Sequence, residues 1–524
     1  MNKILSAIYQ HAQATPQKIA LTSETVQLSY AELVAKIDLL ANWLIEQNIH
    51  NLGLWGENSS EWIIADLAAW QANITLVPLP RFFSNTQLQH VIAQAQLSSL
   101  LVCGDINSVA QTSERKASPI ANIYLDQLAN TIAQNKNATE KNDASEALAS
   151  VAKITFTSGT TGTPKGVLLS TNALENVTCA LADRIYSATN AEQELNTHLN
   201  LLPLSTLLEN IAGVYVPLYL GKRIVAVPGA TLGLMGSSQL SLPTLLQALH
   251  HYQPNSLIVL PQILQGFVAA SAQGFALPAS LKFIAVGGAR TPVTLIEQAR
   301  TMGIAVYEGY GLSECASVVS LNAPGAEKIG SVGRALNHVE IKIDAGIIKV
   351  RGNVFSGYLG QSTTQDEWLD TGDMGYIDDE GFIFITGRKK NLLISSYGRN
   401  ISPEWIESEL SLCRSIAQVM VIGDSQPFCS AIIVPASAQI TAEHIMQDIR
   451  TINQRLPDYA RVQKFIVAAE AFTPANQLLT DNGRLRRAAI LGQYLGAIAA
   501  IYSDSSTHAC HTSPQHAGVV YDIF

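Results

Sequence analysis

From Tyr30 to Val286 the chain alternates two textures, and that alternation limits the folds open to it. Tyr30 to Gln47 and Glu61 to Ala72 carry apolar residues at helical spacing. Between and after them, Ile74 to Val77, Leu100 to Val102, Arg223 to Val227, Ser256 to Leu260 and Phe283 to Val286 are short apolar runs of strand length. Strands separated by amphipathic helices bury both faces of a sheet, so the pattern predicts an α/β fold with doubly wound sheets in a large N-terminal domain. Asn130 to Ala149 has no such periodicity and reads as a surface connection. From Ile341 the texture shifts to short alternating strands, Ile341 to Ile343, Ile347 to Val350 and Phe382 to Thr386, which predict a small β-unit. After Lys390 a compact α+β segment is expected, with a helix over Pro403 to Leu410 and strands over Val419 to Gly423 and Ser430 to Pro435. The expected division is a large domain over residues 1–389, a small one over 390–502 and a tail of uncertain order over 503–524.

The run Val151 to Phe156 ends in Thr155-Phe156-Thr157-Ser158-Gly159-Thr160-Thr161-Gly162-Thr163-Pro164-Lys165-Gly166. Gly159 and Gly162 let successive backbone N–H groups converge on an anion, while the hydroxyls of Thr157, Ser158, Thr160 and Thr161 and the Lys165 ammonium add donors. This is the chemistry of a polyphosphate cradle. A polar turn between strands is the bland alternative. Lys165 stands between Pro164 and Gly166, not in the Gly-Lys-Ser/Thr that opens a helix, so the P-loop pattern is excluded.

A formal net charge of -9 with 14% charged residues excludes a basic nucleic-acid footprint, so phosphate affinity has to be local. Six cysteines without a C-x-x-C pair fit free thiols in a reducing compartment, and the cytoplasm is the expected location. No apolar run is long enough to cross a bilayer, although membrane contact through an acyl substrate stays open. His508, Cys510, His511 and His516 are chemically able to bind zinc, but their spacing matches no standard site.

Further motifs follow in order: Gly287-Gly288-Ala289, Gly309-Tyr310-Gly311-Leu312-Ser313-Glu314, Thr371-Gly372-Asp373, Gly387-Arg388-Lys389-Lys390 and Ser395-Ser396-Tyr397-Gly398-Arg399. Together with the loop Ser158 to Gly166 they make the chain resemble the adenylate-forming superfamily of acyl-CoA synthetases, peptide-synthetase adenylation domains and luciferases. Within it the chain looks most like the bacterial long-chain acyl-CoA synthetases.

The resemblance implies that the Ser158 to Gly166 loop holds the β- and γ-phosphates of ATP. It also implies that Tyr310 packs on adenine with Gly288 and Ala289 nearby, that Ser313 meets the α-phosphate, and that Glu314 binds Mg2+. Asp373 would bond the ribose hydroxyls, Arg388 would face ribose or phosphate, Lys390 would be the hinge to a mobile C-terminal domain, and Gly398 would line the pantetheine tunnel. The implied activity is ATP-dependent conversion of a carboxylic acid, expected to be a fatty acid, into acyl-AMP and then a CoA thioester. Two alternatives remain: loading of an acyl carrier protein through its phosphopantetheine, or ATP and acyl binding with weakened catalysis.

Two departures motivate the last alternative. Where the family has a lysine after Leu478-Leu479-Thr480, this chain places Arg484, with Lys464 or Arg486 as substitute cations. In Pro203-Leu204-Ser205-Thr206-Leu207-Leu208-Glu209, Thr206 replaces a gating histidine, while Glu209 is kept as a second candidate magnesium ligand. Leu207, Ile211 and Val214 suggest an apolar acyl chain, or simply core.

Overall fold

Apolar runs that read as strands from sequence pair into two central sheets in the computed structural model, which describes residues 2–103, 121–124, 151–157, 164–186, 195–235, 239–361, 367–480, 483–502 and 519–523. The first sheet runs, edge to edge, Ala121–Tyr124, Ser99–Cys103, Asn51–Gly56, Thr75–Pro78, Val151–Thr157 and Lys165–Ser170. Its pairings are parallel except the last, where Val151–Thr157 and Lys165–Ser170 form an antiparallel pair. The second sheet has nine strands, with the parallel neighbours Thr197–Leu199, Ser256–Val259, Phe283–Val286 and Val306–Tyr310 at its centre. The connection Asn130 to Ala149 lies outside the described residues.

Helix Tyr30–Glu46 starts at a capping box, where the Ser29 hydroxyl accepts from the Glu32 N–H and the Glu32 carboxylate accepts from the Ser29 N–H. Helix Ser60–Gln71 is buried at every position from Trp62 to Trp70. A helix with no solvated face has to sit between layers, and its Asp66 joins elements from both sides. The Asp66 carboxylate meets Lys153 Nζ at 2.8 Å and accepts from Tyr215 Oη at 2.8 Å and Asn210 Nδ2 at 2.7 Å. Asn210 ends the short helix Leu207–Asn210, and Tyr215 ends the π-helical turn Ile211–Tyr215.

Antiparallel strands Val339–Asp344, Ile347–Gly352, Leu369–Ile377 and Ile383–Arg388 form the small β-unit, in which Asp373 pairs opposite Arg388. The C-terminal unit is a sheet of Ile416–Ile422, Cys429–Pro435, Val462–Val467 and Val519–Asp522 with apolar clusters on both faces. Its helix Pro403–Leu410 has the expected bounds, because Pro403 fits the first helical position, where no N–H partner is lost. Val519–Asp522 is unexpected: a strand stands in the stretch read from sequence as a tail of uncertain order. Its register is set by distant partners, Phe465 opposite Tyr521 and Ile466 opposite Val520. Among the described residues no helix is long and apolar enough to cross a membrane, and the described cysteines are free thiols.

Candidate active site

The ends of both central sheets, the β-unit and the C-terminal unit enclose one cavity of about 1390 Å³. Strand Val151–Thr157 delivers Thr157 to it, with Lys165 as its cross-strand partner. Ser158, Gly159, Thr160, Thr161 and Gly162 lie outside the described residues, as do His508, Cys510, His511 and His516. Strand Val306–Tyr310 runs out into Tyr310, Gly311, Ser313 and Glu314, all on the cavity wall. Glycine is obligatory at 311, because a Cβ there would stand 1.6 Å from the Ser317 carbonyl oxygen. That carbonyl belongs to a strained turn in which Ala316 and Ser317 both have positive φ, at 53° and 90°.

The Asp373 side chain is almost wholly enclosed, at 5% exposure, and both its oxygens are engaged. Tyr310 Oη donates to one at 2.7 Å, and Arg388 Nε lies 2.8 Å from the other. A carboxylate has about four lone-pair sites, so accepting from a vicinal diol as well is within its capacity. Burial, and then the Asp373 charge, hold the Tyr310 phenol neutral far above its ordinary titration range. Glu314 accepts from Tyr358 Oη at 2.7 Å, and Lys165 Nζ lies 5.4 Å from the centre of the Tyr358 ring. One aromatic side chain therefore spaces the lysine from the glutamate.

Gly483 and Arg484 come from the C-terminal unit to close the cavity opposite these groups. Arg484 sits on a short turn in which the Thr480 N–H donates to the Arg484 carbonyl at 2.7 Å. Its guanidinium loses proton affinity through burial and the neighbouring Arg388, and regains some from Asp373 and Glu314. Lys390 is likewise pulled down by burial, Arg388 and Arg484. With Arg81, the cavity gathers five cations, Arg81, Lys165, Arg388, Lys390 and Arg484, in a chain that has only 33 lysines and arginines. Such a concentration of positive charge is suited to a polyphosphate. The substitute cations go elsewhere. Lys464 lies 3.8 Å from Asp522 on the edge strand, and neither it nor Arg486 lines the cavity.

Other sequence-predicted positions separate. Gly288 lines the cavity with φ of 79°, while Ala289 beside it does not. Gly398 is on an exposed turn outside the cavity. Glu209 is 0% exposed and absent from the wall. Its carboxylate is occupied internally, accepting from Asn200 Nδ2 at 2.9 Å and the Leu202 N–H at 3.1 Å, with His198 Nε2 at 3.1 Å. Glu209 is thus engaged by internal donors, whereas Glu314 lies on the cavity wall. Thr206 lines the cavity and turns its hydroxyl back to the Pro203 carbonyl at 2.7 Å. Of the apolar candidates Leu207 is on the wall, whereas Ile211 and Val214 are 0% exposed core, and Leu208, Ala212 and Val216 take the wall at helical spacing.

Sequence reading missed Glu57 and Arg81. They are an ion pair on the cavity wall, contributed just beyond strands Asn51–Gly56 and Thr75–Pro78, and Arg81 also lies 5.3 Å from the Trp55 ring centre. Their only sequence signal was position at the carboxyl ends of adjacent parallel strands, where α/β sheets bind ligands.

The AMP-binding enzyme family profile matches residues 8–359, and that of the AMP-binding enzyme C-terminal domain matches 390–506. A 2-succinylbenzoate–CoA ligase of Staphylococcus epidermidis is 27% identical over 497 residues, covering 92% of this chain and 96% of that protein. A long-chain-fatty-acid–CoA ligase of Mycobacterium bovis is 32% identical over 247 residues, 41% of each chain. Among solved structures, O-succinylbenzoate coenzyme A synthetase from Bacillus subtilis, in complex with ATP and magnesium ion, superposes with a TM-score of 0.73 at 25% identity. That match covers 92% of this chain and 98% of the other.

Proposed function

The chain belongs to the AMP-binding enzyme family, and on that premise we propose that it is an AMP-forming acid–thiol ligase for a carboxylic acid with an apolar body. In the first step a carboxylate oxygen attacks the α-phosphorus of ATP, the bond to the bridging oxygen breaks, and pyrophosphate leaves. In the second, the CoA thiol, losing its proton, attacks the acyl carbonyl and AMP departs. The observation that carries this reading is the make-up of the cavity: Lys165, Arg388, Lys390 and Arg484 are grouped with Tyr310, Asp373 and Glu314, and apolar side chains such as Leu181, Ile185, Leu207 and Ala212 line the same cavity.

Lys165 and Arg484 are assigned to the charge that develops on phosphate oxygens, Ser313 to the α-phosphate, and Asp373 with Arg388 to the ribose. Glu314 fits a divalent cation, since hard cations take carboxylate oxygen and Tyr358 fixes the orientation of this one. Magnesium held there would neutralise phosphate charge. Rotation about Lys390 is proposed to bring the Gly398 turn to the cavity for the thiol step, while closure around the mixed anhydride limits its hydrolysis.

The relatives favour CoA over a carrier protein as acceptor, because those matched over their whole length are named as CoA ligases. They also widen the expected acid. A fatty acid is supported by a long-chain ligase matched over 41% of the chain and by a medium-chain acyl-CoA ligase of Mus musculus matched over 91%, whereas another match, over 92%, is to an enzyme named for an aryl acid. We place the protein in the cytoplasm on its free thiols. Acid-dependent ATP–pyrophosphate exchange across fatty, aryl and amino acids tests the proposal. Exchange with fatty or aryl acids, followed by thioester on adding CoA, is expected. ATP binding by calorimetry without exchange for any acid would instead establish the weakened-catalysis reading that Arg484 and Thr206 raise.

A further inference from the structure

The nine-stranded sheet turns one face of three adjacent strands toward the cavity. Ser256, Ile258 and Leu260 alternate along one run and Phe283, Ala285 and Gly287 along its neighbour, while His198 stands beside Ser256 on the third. At one end this face reaches Gly287, which lies against the Gly309 carbonyl beside Tyr310, and the reacting carboxylate is placed there because it has to meet the α-phosphate assigned to Ser313. Ser256 is four residues away at the other end, roughly 13 Å along extended strands.

Two polar side chains occupy that deep end, and they are ordered from behind. His198, 5% exposed, places Nδ1 2.9 Å from Ser256 Oγ and Nε2 3.1 Å from Glu209 Oε1. Glu209 also accepts from the Asn200 amide and the Leu202 N–H, so its oxygens are held in place from behind. The array is closely fitted: a Cβ on Gly213 would stand 2.4 Å from Glu209 Oε1 and 2.8 Å from His198 Nε2. With Nε2–H donating to Glu209, a neutral ring accepts the Ser256 proton at Nδ1 and leaves the Ser256 lone pairs for the cavity. A protonated ring donates to Ser256 instead and turns its O–H outward. A substrate hydroxyl, both donor and acceptor, finds a partner in either case. A second carboxylate would bring a charge to a buried end already occupied by the Glu209 carboxyl group behind one imidazole.

We propose that the Ser256–His198–Glu209 array is a specificity subsite selecting acids that carry a hydroxyl roughly 13 Å from the reacting carboxylate. The inference rests on the ligase reading above. An all-trans alkyl chain advances about 1.3 Å per bond, so this span takes about ten bonds and 10-hydroxydecanoic acid is the matched probe, with decanoic and decanedioic acids as controls.

The experiment is ATP–pyrophosphate exchange with the three acids on the full chain. A gain of about tenfold in kcat/KM for the hydroxy acid over decanoic acid is expected, with the diacid the poorest, and Ser256→Ala should bring the hydroxy preference to within about twofold of unity. Ser256→Cys, nearly isosteric and a weak hydrogen-bonding group, gives the same reading if the alanine variant does not fold. Equal use of hydroxy and plain acids by the wild type, an unchanged ratio in the variants, or exchange with aryl acids alone overturns the subsite and leaves the ligase reading standing. Absence of exchange with every acid overturns both.

Discussion

Arg484 is where the proposed catalysis is most directly tested. Its guanidinium shares the cavity with Arg388, Asp373 and Glu314, so the positive charge expected of a lysine is present, though carried by a planar fork in place of a compact ammonium. If charge is what matters, Arg484→Lys will preserve or raise acid-dependent exchange, and Arg484→Met will lower it at least about tenfold with ATP affinity by calorimetry less affected. A large loss in the lysine variant would show that this arginine has a role of its own. Glu308, next to the Gly309-Tyr310-Gly311 run, supplies a pH test. Burial lifts its carboxyl from 4.5 to about 7, against the pull of Arg290. The unfolded chain loses that proton near pH 4.5, so between pH 4.5 and 7 the folded state binds the extra proton. Stability therefore falls as pH rises through this window, by on the order of 3 kcal/mol, and the full cost stands above pH 7. Glu308→Gln should raise the melting temperature relative to wild type at pH 8 and not at pH 4.5. An equal difference at both pH values would refute the assignment.

Elements differed in how much of them a one-dimensional pattern can carry. Helix Pro403–Leu410 and strand Phe283–Val286 were readable to the residue, since proline placement and a bounded apolar run are local signals. So were the motifs that place Tyr310, Glu314, Asp373 and Arg388 together. The π-helical turn Ile211–Tyr215 was not readable, because it answers to a partner far away in sequence: it brings Tyr215 to Asp66 and keeps Gly213 against Glu209. Val519–Asp522, the Glu57–Arg81 pair and the His198–Ser256 contact are non-local in the same way. The Asp66–Lys153 pair shows what such a contact is worth. Burial lowers the Lys153 proton affinity, and Asp66 is its charged counterpart. Asp66→Asn leaves a buried ammonium without that counter-charge, and urea unfolding should show a loss of about 3 to 5 kcal/mol. The double variant Asp66→Leu with Lys153→Met removes both charges and should recover part of that loss. If the double variant is no better than the single one, the Tyr215 and Asn210 hydrogen bonds, not the charge pair, hold these elements together.

At the scale of the whole molecule, one cavity is built from two units that also touch outside it, where Leu412 packs against the apolar cluster of the nine-stranded sheet. Gln265 donates to the Ser411 carbonyl at 3.1 Å, and the Arg290 guanidinium, which donates to the Ile385 carbonyl at 3.1 Å, feels Glu404 and Glu409 of the C-terminal unit. The 3-10 turn Lys389–Asn391 joins the units. In this arrangement Arg484 lines the cavity while Gly398 is exposed and outside it. If the unit reorients about Lys390 between the two steps, as proposed, substitutions on its two faces should separate the half-reactions. Gly398 has φ of 72° with nothing within 4 Å of where a Cβ would lie, so Gly398→Ala adds backbone strain of roughly 1 to 2 kcal/mol without a collision. Expected is acid-dependent exchange within about twofold of wild type and thioester formation reduced at least about tenfold. Arg484→Met gives the reverse order, with exchange lost first and thioester formation from supplied acyl-AMP less affected. Should Gly398→Ala depress both half-reactions equally, its turn supports the present cavity and reorientation about Lys390 does not occur.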